Sequence, residues 1–178
     1  MSKWPLFSFD GFVYRFHEPR WSFAPESGAG AAKHGGRFNP QGVEALYTSL
    51  DPVTALNEAS RGLANVQPSL LCQYRVNCSD LLDLSTPQRC ASLGIDFSIL
   101  SSGWRWYLIN GKTPPSWVLS TRLINEGVAG IKVPSFASGS DRSCLNLVFW
   151  RWSRHEPHQV SVVDDANRLP RNGDSWGY

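Results

Sequence analysis

The chain has 178 residues, a net charge of +2, 42% hydrophobic residues and only 18% charged ones. That balance supports one well-filled core and excludes a disordered chain or two ordinary domains. It also lacks the basic excess and the basic runs of a protein that binds nucleic acid directly through phosphates. The four cysteines, Cys72, Cys78, Cys90 and Cys144, form no CxxC pair and no zinc-like cluster with histidine, so no metal site is expected. The N-terminal stretch has no apolar run of signal-peptide length, and no segment approaches the ~20 apolar residues of a membrane span. The expectation is a reduced, cytoplasmic protein without membrane contact, its cysteines serving as small buried hydrophobes.

In chain order, Phe9–Phe16 reads as a strand led in by an Asp10-Gly11 turn. Glu18–Gly36 is rich in Pro, Gly, Ser and Ala and reads as a long loop, a feature that is often functional in a compact domain. Val43–Ser49 is a strand after the Asn39-Pro40-Gln41-Gly42 turn. Asp51-Pro52 starts a helix, since Asp can cap and Pro is tolerated at the first helical position. This helix runs to about Arg61, with Gly62 as its stop and Val53, Leu56 and Leu63 near one face. Glu58 lies off that apolar stripe, and by periodicity alone it is a solvated glutamate.

Ser69–Val76 alternates as a half-buried strand, and Leu81–Leu84 suggests another. Thr86–Leu100 is helical in part. Trp104 and Trp106 belong to an aromatic cluster; if extended, they share a strand face, as do Trp150 and Trp152. Trp117–Glu126 is a helix with Ser116 as cap and Gly127 as stop. Ala129–Val133, Leu145–Trp152 and Gln159–Val163 read as strands. The predicted fold is α+β, one domain over 1–170 with a mixed β core and about three helices, followed by a flexible tail over 171–178.

One stretch concentrates the chemistry. Gly35-Gly36-Arg37-Phe38-Asn39-Pro40-x-Gly42 is followed by Ala45-Leu46-Tyr47-x-Ser49 and then by Ala55-x-x-Glu58. A cation, a phenol and a carboxylate thus lie on successive loop, strand and helix. Together with Tyr14-Arg15, Gly130-Ile131-x-Val133-Pro134-Ser135 and Asn146-Leu147-Val148, this pattern resembles the RES domain over about residues 12–163. The tryptophan-rich stretch 104–117 is where the chain departs from that pattern.

The resemblance implies a fold like that of ADP-ribosyltransferases. It also implies a toxin of a bacterial toxin–antitoxin pair, partnered by an Xre-type helix-turn-helix antitoxin that blocks the active site, and homodimeric. The implied activity consumes NAD+ as substrate, with no tightly bound cofactor, by hydrolysis or phosphorolysis of the nicotinamide–ribose bond. Mono-ADP-ribosylation of a protein or RNA is an alternative, and a non-catalytic nucleotide- or partner-binding module is another.

Breaking that bond creates an oxocarbenium-like centre, for which Glu58 is the expected stabilising carboxylate. Arg37 and Arg15 offer planar, multidentate donors to the pyrophosphate. Gly36, beside Gly35, would let backbone amides approach phosphate. Tyr47 would stack on the nicotinamide–ribose end or hydrogen-bond to it. Ser135 is expected to contact ribose or nicotinamide, and Asn146 completes the NAD-binding set. Glu58, Arg37 and Tyr47 form the expected catalytic group. The geometric expectation is that Arg15, Arg37, Tyr47, Glu58 and Ser135 converge on one pocket.

Overall fold

The computed structural model of the chain describes residues 3–60, 67–137, 140–141 and 143–174. The sheet is built from β1 (Phe7–His17), β2 (Leu46–Ser49), β3 (Leu70–Asp83), β4 (Gly130–Pro134), β5 (Leu145–Phe149) and β6 (His158–Val162). Its order is β1-β2-β5-β4-β3-β6, and a further pairing of β1 with β3 closes five of the strands on themselves. Only β3 and β4 run parallel; the other neighbours are antiparallel. The architecture is α+β with a mixed sheet, as the sequence suggested.

Two apolar clusters follow from this closure. One lies within the sheet and centres on Val13, Tyr74, Val76, Leu147 and Phe149. The other fills the space between the sheet and the helices, with Leu82, Leu100, Leu123, Ile131 and Val148. Cys72, Cys78 and Cys90 are buried as free thiols, and Cys144 is half-buried.

The two strands read at 69–76 and 81–84 are one. Buried positions alternate at Cys72, Tyr74, Val76 and Cys78, then resume out of phase at Leu81 and Leu82. The phase slips at Asp80, whose φ is 61°, and the pairing with β1 shifts register there. Such a bulge re-aims a strand, and β3 indeed changes partner from β6 before it to β4 after it. Asp10 and Gly11 do not form a turn; they pair with Asn77 and Val76 inside β1.

The described residues hold six α-helices: α1 (Ala29–His34), α2 (Pro52–Ser60), α3 (Pro87–Ser92), α4 (Ser98–Ser101), α5 (Trp104–Ile109) and α6 (Pro115–Asn125). The helices expected from sequence correspond to α2, α3 with α4, and α6. The others span only one or two turns, too short to show a period. Thus the predicted loop 18–36 contains a 3-10 turn at Pro19–Trp21 and α1. Trp104 and Trp106 lie on a helix, where residues two apart do not share a face. Trp150 and Trp152 follow β5 and separate to the two clusters.

Asp51 caps α2, its Oδ1 accepting from Thr54 N at 2.8 Å. Ser116 does not cap α6: Pro114 precedes the helix, Pro115 opens it, and Ser116 is buried in its first turn. Gly127, at φ 87°, ends that segment. Arg61, Gly62 and Leu63 lie outside the described residues, as does the tail beyond residue 174.

His17 is a buried histidine at the end of β1. Its Nε2 lies 2.5 Å from the Tyr74 hydroxyl, which donates to Pro25 O at 2.7 Å. Burial, and secondarily the nearby Arg15 charge, push its pKa down from 6.5 to about 3. The folded state therefore binds fewer protons than the unfolded state between these values, and stability falls as pH drops through that window. Urea unfolding of the wild type should weaken from pH 6.5 towards pH 3, by up to about 1.4 kcal/mol per pH unit from this group. His17→Gln should flatten that limb, seen as a smaller pH dependence of the unfolding free energy.

Candidate active site

The segment from Gly35 to Glu58 is tied together by one buried amide. Asn39 Nδ2 donates to Ala31 O at 2.9 Å and Val43 O at 2.8 Å. Its Oδ1 accepts from the Tyr47 hydroxyl at 2.7 Å, and that hydroxyl accepts from Phe38 N at 2.9 Å. A Cβ at Gly36 would collide with the Tyr47 hydroxyl and with Asn39 Oδ1. Gly36 is thus required by close packing. Its N–H donates to Asn39 O at 3.0 Å, and Gly35 N donates to Ala31 O at 2.8 Å. The amides expected to approach phosphate are already used within the loop.

Glu58 projects from α2 and is exposed. Its Oε1 accepts from Ser135 Oγ at 2.7 Å and from Asn146 Nδ2 at 2.6 Å. Asn146 is oriented in turn by Ser49, whose Oγ donates to Asn146 Oδ1 at 2.7 Å. Ser49 and Asn146 are cross-strand partners of β2 and β5. Ser135 follows β4, with Ser140 Oγ at 2.8 Å. Two donors therefore hold one carboxylate oxygen, and a ligand can address the other.

A cavity of about 240 Å³ lies beside this carboxylate, lined by Tyr14, Arg15, Tyr47, Thr48, Ser49, Glu58 and Asn146 among others. A neighbouring cavity of about 360 Å³ shares Phe16 and Ala59 with it. Arg15 is half-buried, and among the described residues it has no carboxylate partner; its guanidinium makes one long contact, 3.5 Å from Ser27 O. Burial lowers its pKa from the usual arginine range, with Tyr74 and Cys72 acting in the opposite sense. A desolvated cation without a counter-charge is costly, so an anionic ligand here would relieve a cost the fold leaves standing.

Arg37 sits differently. Its Nη1 donates to Ser102 O at 2.7 Å and to Leu100 O at 3.3 Å, and its guanidinium lies 4.9 Å from the centre of the Phe136 ring. It does not line the cavity, but Glu58 and Tyr47 lie within its field: both oppose the lowering of its pKa that burial causes, and Arg105 adds to that lowering. Burial raises the pKa of Tyr47, and Arg37 acts against this. The phenol stays protonated at any ordinary pH.

Arg15, Tyr47, Glu58 and Asn146 therefore share one cavity, Ser135 reaches it through Glu58, and Arg37 does not line it but acts on Glu58 and Tyr47 through its field. The Ser135 hydroxyl is committed to Glu58, so its direct role is to hold the carboxylate. Reasoning from sequence assigned no role to Ser49 or Asn39. Ser49 had a usable signal, being two residues beyond Tyr47 and hence on the same strand face. Among the described residues, no group of three or more His, Cys, Asp or Glu side chains could hold a metal ion. No helix there is long and apolar enough to cross a membrane.

Tyr47→Phe should leave Phe38 N and Asn39 Oδ1 without their partner. Unfolding in urea should show a loss of about 1–3 kcal/mol, and an unchanged midpoint would contradict the structural role of the hydroxyl.

The comparisons with known proteins agree with this architecture. The RES domain model matches residues 12–172. A chain in the crystal structure of the M. tuberculosis MbcT–MbcA toxin–antitoxin complex aligns with a TM-score of 0.61. The two are 22% identical over 89% of this chain and 84% of that chain, so the likeness is one of fold. No curated protein matches the chain. With the family model covering nearly its whole length, the chain belongs to the RES domain family.

Proposed function

We propose that the chain is the toxin of a bacterial toxin–antitoxin pair and that it destroys NAD+ by cleaving the nicotinamide–ribose bond. Membership of the RES family supports this reading, as does the likeness in fold to a chain of a solved toxin–antitoxin complex. The observation that carries it is the pairing of two groups on one cavity. Glu58 is held by a single oxygen, and Arg15 is a half-buried cation without a carboxylate partner among the described residues.

In this reading NAD+ is the substrate, and no tightly bound cofactor takes part. The diphosphate faces Arg15, and the nicotinamide riboside end faces Glu58 and Tyr47. The C–N bond breaks with its electron pair leaving on nicotinamide, and positive charge develops at the ribose C1′. The Glu58 oxygen not bound to Ser135 and Asn146 stabilises that charge. Water or inorganic phosphate then adds to C1′, giving ADP-ribose or its 1-phosphate, and a proton departs when water is the acceptor. The cavity is below the ~300–1,000 Å³ typical of ligand pockets, so it takes the reacting end and the rest of the dinucleotide lies towards the adjoining cavity. Arg37 acts from behind, through its field and by bracing the walls. The ADP-ribosyltransferase-like character of the fold belongs to this same reading. So do an Xre-type helix-turn-helix antitoxin that occludes the cavity, a homodimeric toxin and a cytoplasmic location.

The test is a product assay. Purified protein is incubated with NAD+, with and without phosphate, and the products are followed by mass spectrometry. Free nicotinamide should appear, together with ADP-ribose or its 1-phosphate. Glu58→Gln should slow its release by at least about 100-fold while the unfolding midpoint stays unchanged. No release under either condition would contradict the reading, and ADP-ribose attached to protein or RNA would redirect it to mono-ADP-ribosyl transfer.

A further inference from the structure

The α5 helix breaks the ordinary relation between hydrophobicity and burial. Its sequence is Trp104-Arg105-Trp106-Tyr107-Leu108-Ile109, five large apolar or aromatic side chains in six positions, yet it has no buried residue. Ile109 is 85% exposed and Trp106 56%. A helix that is apolar nearly all round is normally enclosed by protein. Trp106 and Ile109 are three residues apart and so share a face.

Charge makes this surface selective. Between Asp96 and Glu126 the sequence contains no Asp or Glu. Two cations of the segment lie over its indoles, Arg105 at 5.1 Å from the Trp104 ring centre and Lys112 at 5.5 Å from that of Trp106. Tryptophan, tyrosine and arginine are the residue types enriched at binding hot spots. Among the described residues neither Arg105 nor Lys112 has a carboxylate partner, and a patch that combines indoles with such cations favours a partner that brings both apolar side chains and carboxylates.

The root of the segment is anchored to the site. Leu100 O and Ser102 O accept from Arg37, and Trp117 Nε1 donates to Gly36 O at 2.7 Å. The patch thus projects from a braced base.

We propose that α5, through Trp106 and Ile109 flanked by Arg105 and Lys112, is a docking surface for an acidic peptide segment of another protein that carries apolar anchor residues. The surface stands independently of the reading of the cavity. Binding there would be salt-sensitive, because the carboxylate–cation contacts lie at an exposed surface.

The test is selection from a random peptide display library on the full-length protein, with counter-selection on the Trp106→Ser/Ile109→Ser variant. Matching unfolding midpoints establish that the variant remains folded. The expected consensus combines Asp or Glu with Leu, Phe or Trp. A synthetic peptide of that consensus should bind the wild type, and Arg105→Glu/Lys112→Glu should weaken it at least 10-fold. The proposal is overturned by no enrichment above the counter-selected variant, or by a consensus lacking acidic residues. It is equally overturned if sedimentation shows a homodimer that Trp106→Ser/Ile109→Ser dissolves, because the patch would then belong to a second copy of the chain.

Discussion

Everything at the site depends on how the Glu58 carboxylate is held. One oxygen accepts hydrogen bonds from two residues that lie 77 and 88 positions away in sequence. Neither donor could arrive without the sheet. Antiparallel pairing of β4 with β5 sets Val133 opposite Asn146, and pairing of β2 with β5 sets Ser49 opposite the same Asn146. A helix capped by Asp51 then brings Glu58 to that seam. The carboxylate is pre-oriented by two neutral donors on one oxygen. That is the arrangement expected of a group that must meet developing positive charge without reorganising.

The two arginines divide the remaining work. Arg15 lines the cavity and lacks a carboxylate partner among the described residues. Arg37 donates from Nη1 to two backbone carbonyls at the end of α4 and rests on Phe136, the neighbour of Ser135. It therefore links the carboxylate's support to the segment that carries α5. Asn39 plays a comparable part on the other wall, joining the glycine loop to the Tyr47 hydroxyl. Site, loop and tryptophan-rich segment are one connected polar framework laid over an apolar core.

Much of this was legible in the sequence because it was local. Asp51-Pro52 marked the start of α2, the alternation at 70–76 marked β3, and the displacement of Glu58 from the apolar stripe marked a side chain free of the core. The α+β class followed from the mixture of such elements. Other features are set by partners far along the chain. The continuity of β3 through Asp80 requires β4 and β6 as partners, and no alternation pattern survives a bulge. The helix at 104–109 is too short to have a period. Gly36 and Arg37 were legible as special and were assigned a phosphate role. In the packing, Tyr47 and Asn39 occupy the space a Gly36 side chain would need, and Arg37 Nη1 is bonded to carbonyls. The exposed loop glycines and arginine of a phosphate site and of a packed corner read alike in one dimension.

The central claim is that Glu58 and Arg15 face the two ends of one bound ligand. A crystal structure of the Glu58→Gln variant with NAD+ tests it most directly. The account predicts the nicotinamide-bearing ribose against residue 58, the diphosphate at Arg15, and Arg37 still bonded to the carbonyls of Leu100 and Ser102. A dinucleotide bound elsewhere, or one whose diphosphate leaves Arg15 untouched, would contradict it.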